Sequence, residues 1–221
     1  MPHAPALGLR LAICLSLLAA FTGCKSAYYS TMETFGYEKR DILVDRVTDA
    51  RDEQEQAKVQ FTSALDQFKA VIDFQGDDLE AMYEELNAGY KKSKRSADDV
   101  GDKIDKVESV AQALFEEWEE ELNAYNSEEL RAVSAKRLDE TRSRYEQLIG
   151  AMERAEASIP PVLASMQDQV LFLKHNLNAQ AIASIQGTAE GIQRDIQSLI
   201  DEMEKSINEA NAFINQMGGT E

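Results

Sequence analysis

Cysteine is nearly absent. Two occur among 221 residues, Cys14 and Cys24, and both lie in the first two dozen positions, so no disulfide framework can hold the body of the chain. Proline is almost as scarce, with four residues in all and none between Tyr28 and Ile159. A sheet-and-turn protein would interrupt such a span repeatedly. Aromatic residues make up 7% of the chain, which leaves a lean core. Positive charge is short too: 23 Lys and Arg stand against 40 Asp and Glu, for a net charge of -17. That field has the wrong sign for a nucleic-acid partner. What remains, 43% hydrophobic and 29% charged residues, suits one medium domain built almost entirely of helix.

The N-terminus reads as an address. Leu11 to Gly23 is an apolar run of 13 residues behind Arg10, matching the h-region of an export signal and too short to span a bilayer as a helix. It ends in Ala20-Phe21-Thr22-Gly23-Cys24. This resembles the lipobox of bacterial lipoproteins, in which the cysteine is diacylated and becomes the new N-terminus, although Phe21 stands where leucine is usual. The resemblance implies lipid attachment at Cys24, and Lys25, in place of an aspartate, resembles the sorting signal of outer-membrane lipoproteins. An ordinary secretory signal or an uncleaved anchor is the alternative. The expected organisation is a signal peptide at 1–23, lipid attachment and a short linker at 24–30, a helical bundle at 31–217 and a tail at 218–221.

Heptads dominate the rest. Ser30 and Glu33 have the spacing of a capping box that opens a helix. Leu43, Val47, Ala50, Gln54, Ala57, Phe61, Ala64, Phe68 and Val71 then alternate steps of four and three, with Gln54 the polar interruption. Gly76 and Asp77, with Glu80, read as a stop and a new cap. A second seam runs from Leu79 through Tyr83, Leu86, Tyr90, Ser93, Ala97, Val100, Ile104, Val107, Ala111 and Leu114 to Trp118. Asn126 and Glu129 mark a third start, and Leu138, Thr141, Tyr145, Leu148, Met152, Ala155 and Ile159 follow. Pro160-Pro161 predicts the end of that helix and the opening of a fourth, and the short connections at 74–77, 125–127 and 159–161 favour antiparallel neighbours. The fourth carries Met166, Val170, Leu173 and Leu177, then Ile192, Ile196, Leu199, Met203, Ala210, Phe213 and Met217, with a kink or break expected near Gly187 and Gly191. The expected fold class is all-α, an elongated antiparallel bundle of about four long coiled-coil-like helices after a cleaved signal peptide. A three-helix, spectrin-like segment with a folded-back end is the alternative.

Several stretches carry a family resemblance: Tyr28-Tyr29, Gly36 through Val47, Ala50-Arg51-Asp52 and Leu173 through Ala179. Together they resemble a family of proteobacterial envelope proteins known only as a domain of unknown function. The resemblance implies a helical, exported character over nearly the whole mature chain and brings no catalytic residues. Some relatives carry the label of a DNA repair ATPase, but this sequence has no GxxxxGK[ST] loop and its charge opposes DNA.

Chemistry-bearing motifs are sparse. A dinuclear carboxylate centre in a bundle needs Glu-x-x-His pairs, whereas the mature chain has one histidine, His175, with Phe172 three places before it. No HExxH, GxSxG, Cys-His or EF-hand pattern occurs. No cofactor or metal is expected, and paired-carboxylate chemistry finds no specific signal among so many acids. The densest acidic run, Glu116, Glu117, Glu119, Glu120 and Glu121 around Trp118, reads either as a solvated helix face or as a surface for a cationic partner. Lys91-Lys92-Ser93-Lys94-Arg95 reads as local charge compensation or as a contact for anionic headgroups. The expectation is a non-enzymatic periplasmic scaffold or adaptor. Its partners would be the membrane, through the N-terminal lipid, and an envelope protein or a second copy. A client-binding, chaperone-like module is the alternative, and a carboxylate enzyme comes third.

Overall fold

A computed structural model describes residues 39–72, 79–176 and 179–218. Its elements are α1 (Lys39–Ile72), α2 (Leu79–Leu122), α3 (Glu128–Ala157), α4 (Ile159–His175) and α5 (Ala179–Gly218). Leu43–Glu221 forms one compact unit; of the other, Met1–Ile42, only the first turn of α1 is described. The capping box at Ser30, the stop at Gly76 and Asp77, and the side chains of Val71 and Leu177 lie outside the described residues.

Helix formation follows from the heptads. Of the first seam, Leu43, Val47, Ala50, Gln54, Ala57, Phe61, Ala64 and Phe68 are all buried. Along α2 the seam from Leu86 to Leu114 is buried at Leu86, Ser93, Val100, Ile104, Val107, Ala111 and Leu114, while Tyr83, Tyr90 and Trp118 are half-buried. A second stripe, Met82, Gly89, Val110 and Phe115, is buried beside it. Two stripes are what a bundle helix needs, because it packs against two neighbours and one coiled-coil seam serves only one.

Side-chain contacts set the directions. α1 meets α2 through Asp49 with Lys103 (3.5 Å) and Gln60 with Ser93 (3.5 Å). It meets α5 through Arg51 with Asn211 (3.1 Å), Gln54 with Ser206 (2.8 Å) and Lys58 with Glu204 (3.7 Å). α2 meets α3 through Trp118 with Ser134 (2.8 Å) and Glu119 with Arg142 (2.8 Å). Further along, Leu86 of α2 shares a small cavity with Met166 and Val170 of α4 and Ile196 of α5. Between α1 and each of its neighbours the numbers rise along one helix as they fall along the other, and the same holds for α2 and α3 from Glu119–Arg142 through Phe115–Tyr145 to Glu108–Glu153. The unit is therefore an up-down-up-down four-rod bundle, with α3 and α4 together forming the third rod.

That third rod departs from the expectation at Pro160-Pro161. The chain does not reverse there: α3 and α4 both pack along α2 and along α5. Only Ser158 interrupts the helix, its N–H donating to the Arg154 and Ala155 carbonyls and its hydroxyl to Ala155. Both prolines are exposed, so the carbonyls that lose a donor face water on the outer side of the rod. Buried Ile159, Val162, Met166, Val170 and Leu173 prolong the stepping of Leu148, Met152 and Ala155 without a change of phase. The break expected near Gly187 and Gly191 is also absent, because α5 runs unbroken from Ala179 to Gly218. A glycine in a helix weakens it locally but does not end it where the apolar stripe continues, as it does through buried Ile185, Ile192 and Ile196.

One polar layer crosses the core. Gln54 and Ser206 are both fully buried, and the serine hydroxyl donates to the glutamine carbonyl oxygen. Gln54 Nε2 has no hydrogen-bond partner, at a cost of about 1–3 kcal/mol for a desolvated donor. A buried polar residue on a seam disfavours slipped registers, since moving it one heptad would strand it against carbon. Ser206→Ala should lower the unfolding free energy by about 1–3 kcal/mol, because it strands the second polar atom of Gln54. The double change Gln54→Leu/Ser206→Ala should restore wild-type stability or exceed it. Urea unfolding of the mature chain measures both, and equal stability of the single and double variants would contradict this account.

Candidate functional site

The α2–α3 hairpin tip gathers the features singled out from the sequence. α2 closes with Asn123 N–H donating to the Glu120 carbonyl (3.1 Å) and Ala124 N–H to the Glu121 carbonyl (2.9 Å). α3 opens one residue later than expected, with Ser127 as its cap: the serine oxygen accepts from Leu130 N–H at 3.3 Å. Asn126 precedes the cap, and Glu128 and Glu129 occupy the first turn. Behind the turn, Trp118 is half-buried and its indole N–H donates to Ser134 Oγ at 2.8 Å. The Phe115 and Tyr145 rings meet edge to face with centroids 5.4 Å apart. The Arg142 guanidinium lies 5.1 Å from the Phe115 ring centre while pairing with Glu119 at 2.8 Å. These contacts fix the hairpin across its two arms.

The structure brings the acidic run to this tip. Glu116, Glu119, Glu120 and Glu121 are exposed and Glu117 is half-buried. Gln112 donates to Glu116 at 2.8 Å, and Glu119 is tied to Arg142. From Glu116 to Glu129 there are seven glutamates and no Lys or Arg. Five of them crowd the C-terminal end of α2, where the helix dipole is negative and acidic groups are unfavourable by about 0.3–1 kcal/mol each. Local stability does not explain such a placement. Sequence reasoning missed the apolar surface beside it: Leu130 is 59% exposed, Val133 51% and Tyr125 42%. Leu130 and Val133 are three apart on α3 and share one side of it. The signal was available, because both fall off the seam that starts at Leu138.

Elsewhere the sequence candidates disperse. Lys91, Lys92, Lys94 and Arg95 are exposed but flank the fully buried Ser93, and Lys94 pairs with Asp98 at 3.2 Å. His175 is exposed in the last turn of α4. Cys24 and Lys25 lie outside the described residues. Among the described residues no group of three or more His, Cys, Asp and Glu is placed to hold a metal, and no helix is long and apolar enough to cross a membrane. The cavity where all four rods meet measures about 10 Å³, room for about one water, far below the ~300–1,000 Å³ of a ligand pocket.

Below the tip, acidic groups face one another between α2 and α3. Burial, then Glu153 and Asp105, raises Glu108 above the ordinary carboxylate range, and Glu108 and Glu153 share a hydrogen bond. Burial, then Asp105, Glu108 and Glu153, raises Glu156 as well. Burial followed by Glu108 and Glu153 pushes the Tyr145 hydroxyl up to about 12. The folded chain thus holds protons on Glu108 and Glu156 more tightly than the unfolded chain does. Their contribution to stability is complete below the ordinary Glu value of 4.5 and is lost as pH rises through the raised folded values. Glu153→Gln should accordingly raise the melting temperature at pH 7.5, and the gain should shrink towards zero at pH 4. Thermal melts followed by circular dichroism check this, and a gain of equal size at both pH values would contradict it.

The family described as protein of unknown function (DUF2959) matches residues 28–217. No curated protein and no solved structure matches the chain. The match spans α1 through α5 to within a residue of the end of α5, and the chain belongs to the DUF2959 family.

Proposed function

We propose that this chain is a lipid-anchored scaffold or adaptor of the bacterial envelope, non-catalytic, acting by contact at the α2–α3 hairpin tip. The observation that carries the reading is the pairing of exposed Tyr125, Leu130 and Val133 with the acidic rim from Glu116 to Glu129. An apolar centre with a charged rim is the anatomy of a protein-docking surface, and the rim's sign selects a cationic partner. The acids add speed and selectivity to the encounter, while the apolar residues supply the buried area.

The N-terminal end of α1, nearest in sequence to Cys24, lies at the bundle end that carries the tip, because Asp49 meets Lys103 whereas Gln60 meets Ser93. Diacylation at Cys24 would bury enough methylenes for durable attachment, where one chain would exchange. Lys25 favours the outer membrane by its resemblance to the sorting signal.

Photo-crosslinking from Tyr125 in cells should capture one envelope protein. Leu130→Asp/Val133→Asp should abolish that adduct while leaving the melting temperature within about 2 °C of wild type, since both residues are exposed. Cys24→Ala should move the protein from the membrane pellet to the soluble periplasmic fraction. An adduct indifferent to the tip substitutions overturns the docking surface, and a Cys24→Ala protein still in the pellet overturns the anchor.

A further inference from the structure

We propose that α1 is a strap that opens from the other rods as one cooperative unit, well before the bundle unfolds. Four observations converge on it. Among the described residues, the buried side-chain polar atoms without a hydrogen-bond partner are Gln54 Nε2 and Gln67 Oε1, and both belong to α1. Burial penalises such atoms, and opening returns them to water. Second, α1 docks through glutamines set against small residues: Gln54 on Ser206, Gln60 on Ser93, and Gln67 against Gly89, where an added Cβ would collide with the glutamine oxygen.

Third, alanines at 50, 57 and 64 fill alternate seam positions of α1, so its apolar grip rests on a few large side chains, Phe61 and Phe68 among them. The other rods bury larger side chains such as Ile104, Val107, Leu148, Met152, Leu199 and Met203. Packing at the Phe68 level is also incomplete, since Ala64, Gln67 and Phe68 line the cavity of about 10 Å³ against Leu86, Met166 and Ile196. Fourth, α1 is the first rod, and the hydrogen bonds and ion pairs described for it run to α2 and α5, with the third rod meeting it at the cavity lined by Met166. The rest keeps its own clamps, Trp118 on Ser134 and Arg142 on Glu119. Elements with unsatisfied polar atoms and small-residue seams form the low-stability units of a protein. The opened state bares the seam that α1 covers on α2 and α5. The inference rests on neither the anchor nor the docking surface.

Native-state hydrogen exchange of the full mature chain, read by mass spectrometry, tests the strap. Amides of residues 45–70 should exchange together, at least about tenfold faster than those of residues 100–114 and 192–207. Gln54→Leu/Ser206→Ala with Gln67→Met should slow exchange in α1 about tenfold, and residues 100–114, which open only from a state in which α1 is already released, should slow by the same factor. Exchange of α1 at the rate of the α2 centre overturns the proposal. So does unchanged exchange of α1 in the triple variant, which would mean that the polar layers do not set its opening. The wild-type measurement stands whether or not the variant folds.

Discussion

The antiparallel alignment of four apolar seams is the constraint from which the other features follow. A seam in four-three steps forces each helix to lie along a neighbour over its whole length, since an uncovered stretch would leave a row of Leu, Ile and Val in water. α2, with 44 residues, therefore needs a partner of similar reach, about 66 Å. α3 alone has 30 residues and falls short; α3 and α4 in line supply the match. The prolines at 160 and 161 are tolerated because they sit on the wet side of that rod. The seam, and not the local helix breaker, decides where the chain goes.

Once register is set, it determines which charges meet. Glu108 of α2 comes to face Glu153 of α3, and burial together with that like charge raises the Glu108 carboxyl. Higher up, the same alignment delivers Arg142 to Glu119 and Ser134 to Trp118, which stiffens the hairpin. The glutamates at the end of α2 remain, set against the helix dipole and beside exposed Leu130 and Val133. Departures from local stability of this kind concentrate where a surface has something to bind.

Much of the fold was legible in the sequence. Every described residue of the first seam is buried, Gln54 included, because stepping of this regularity has no other use in water. The reading failed where a local signal competed with the seam. Pro160-Pro161 suggests a turn, yet Ile159, Val162 and Met166 carry the heptad phase straight through, and that continuity was the stronger evidence. Gly187 and Gly191 misled in the same way. The partner of Gln54 was not legible, because Ser206 lies 152 positions away and only the three-dimensional register brings them together. At the tip, the acidic run was read and the apolar residues beside it were missed, although Leu130 and Val133 fall off the seam that starts at Leu138, because an apolar residue near a turn is easily taken for the start of a core.

Spin-label distances between exposed positions test this register most directly. With labels at Asp45 and Glu120, the account predicts a separation of about 20 Å, because the start of α1 and the hairpin tip share one end of the bundle. With labels at Asp45 and Lys174, it predicts about 40 Å, because the third rod continues past its prolines to the far end. If the chain instead turned back at Pro160-Pro161, Lys174 would return to the tip and the second distance would fall to the first, and that result would contradict the account.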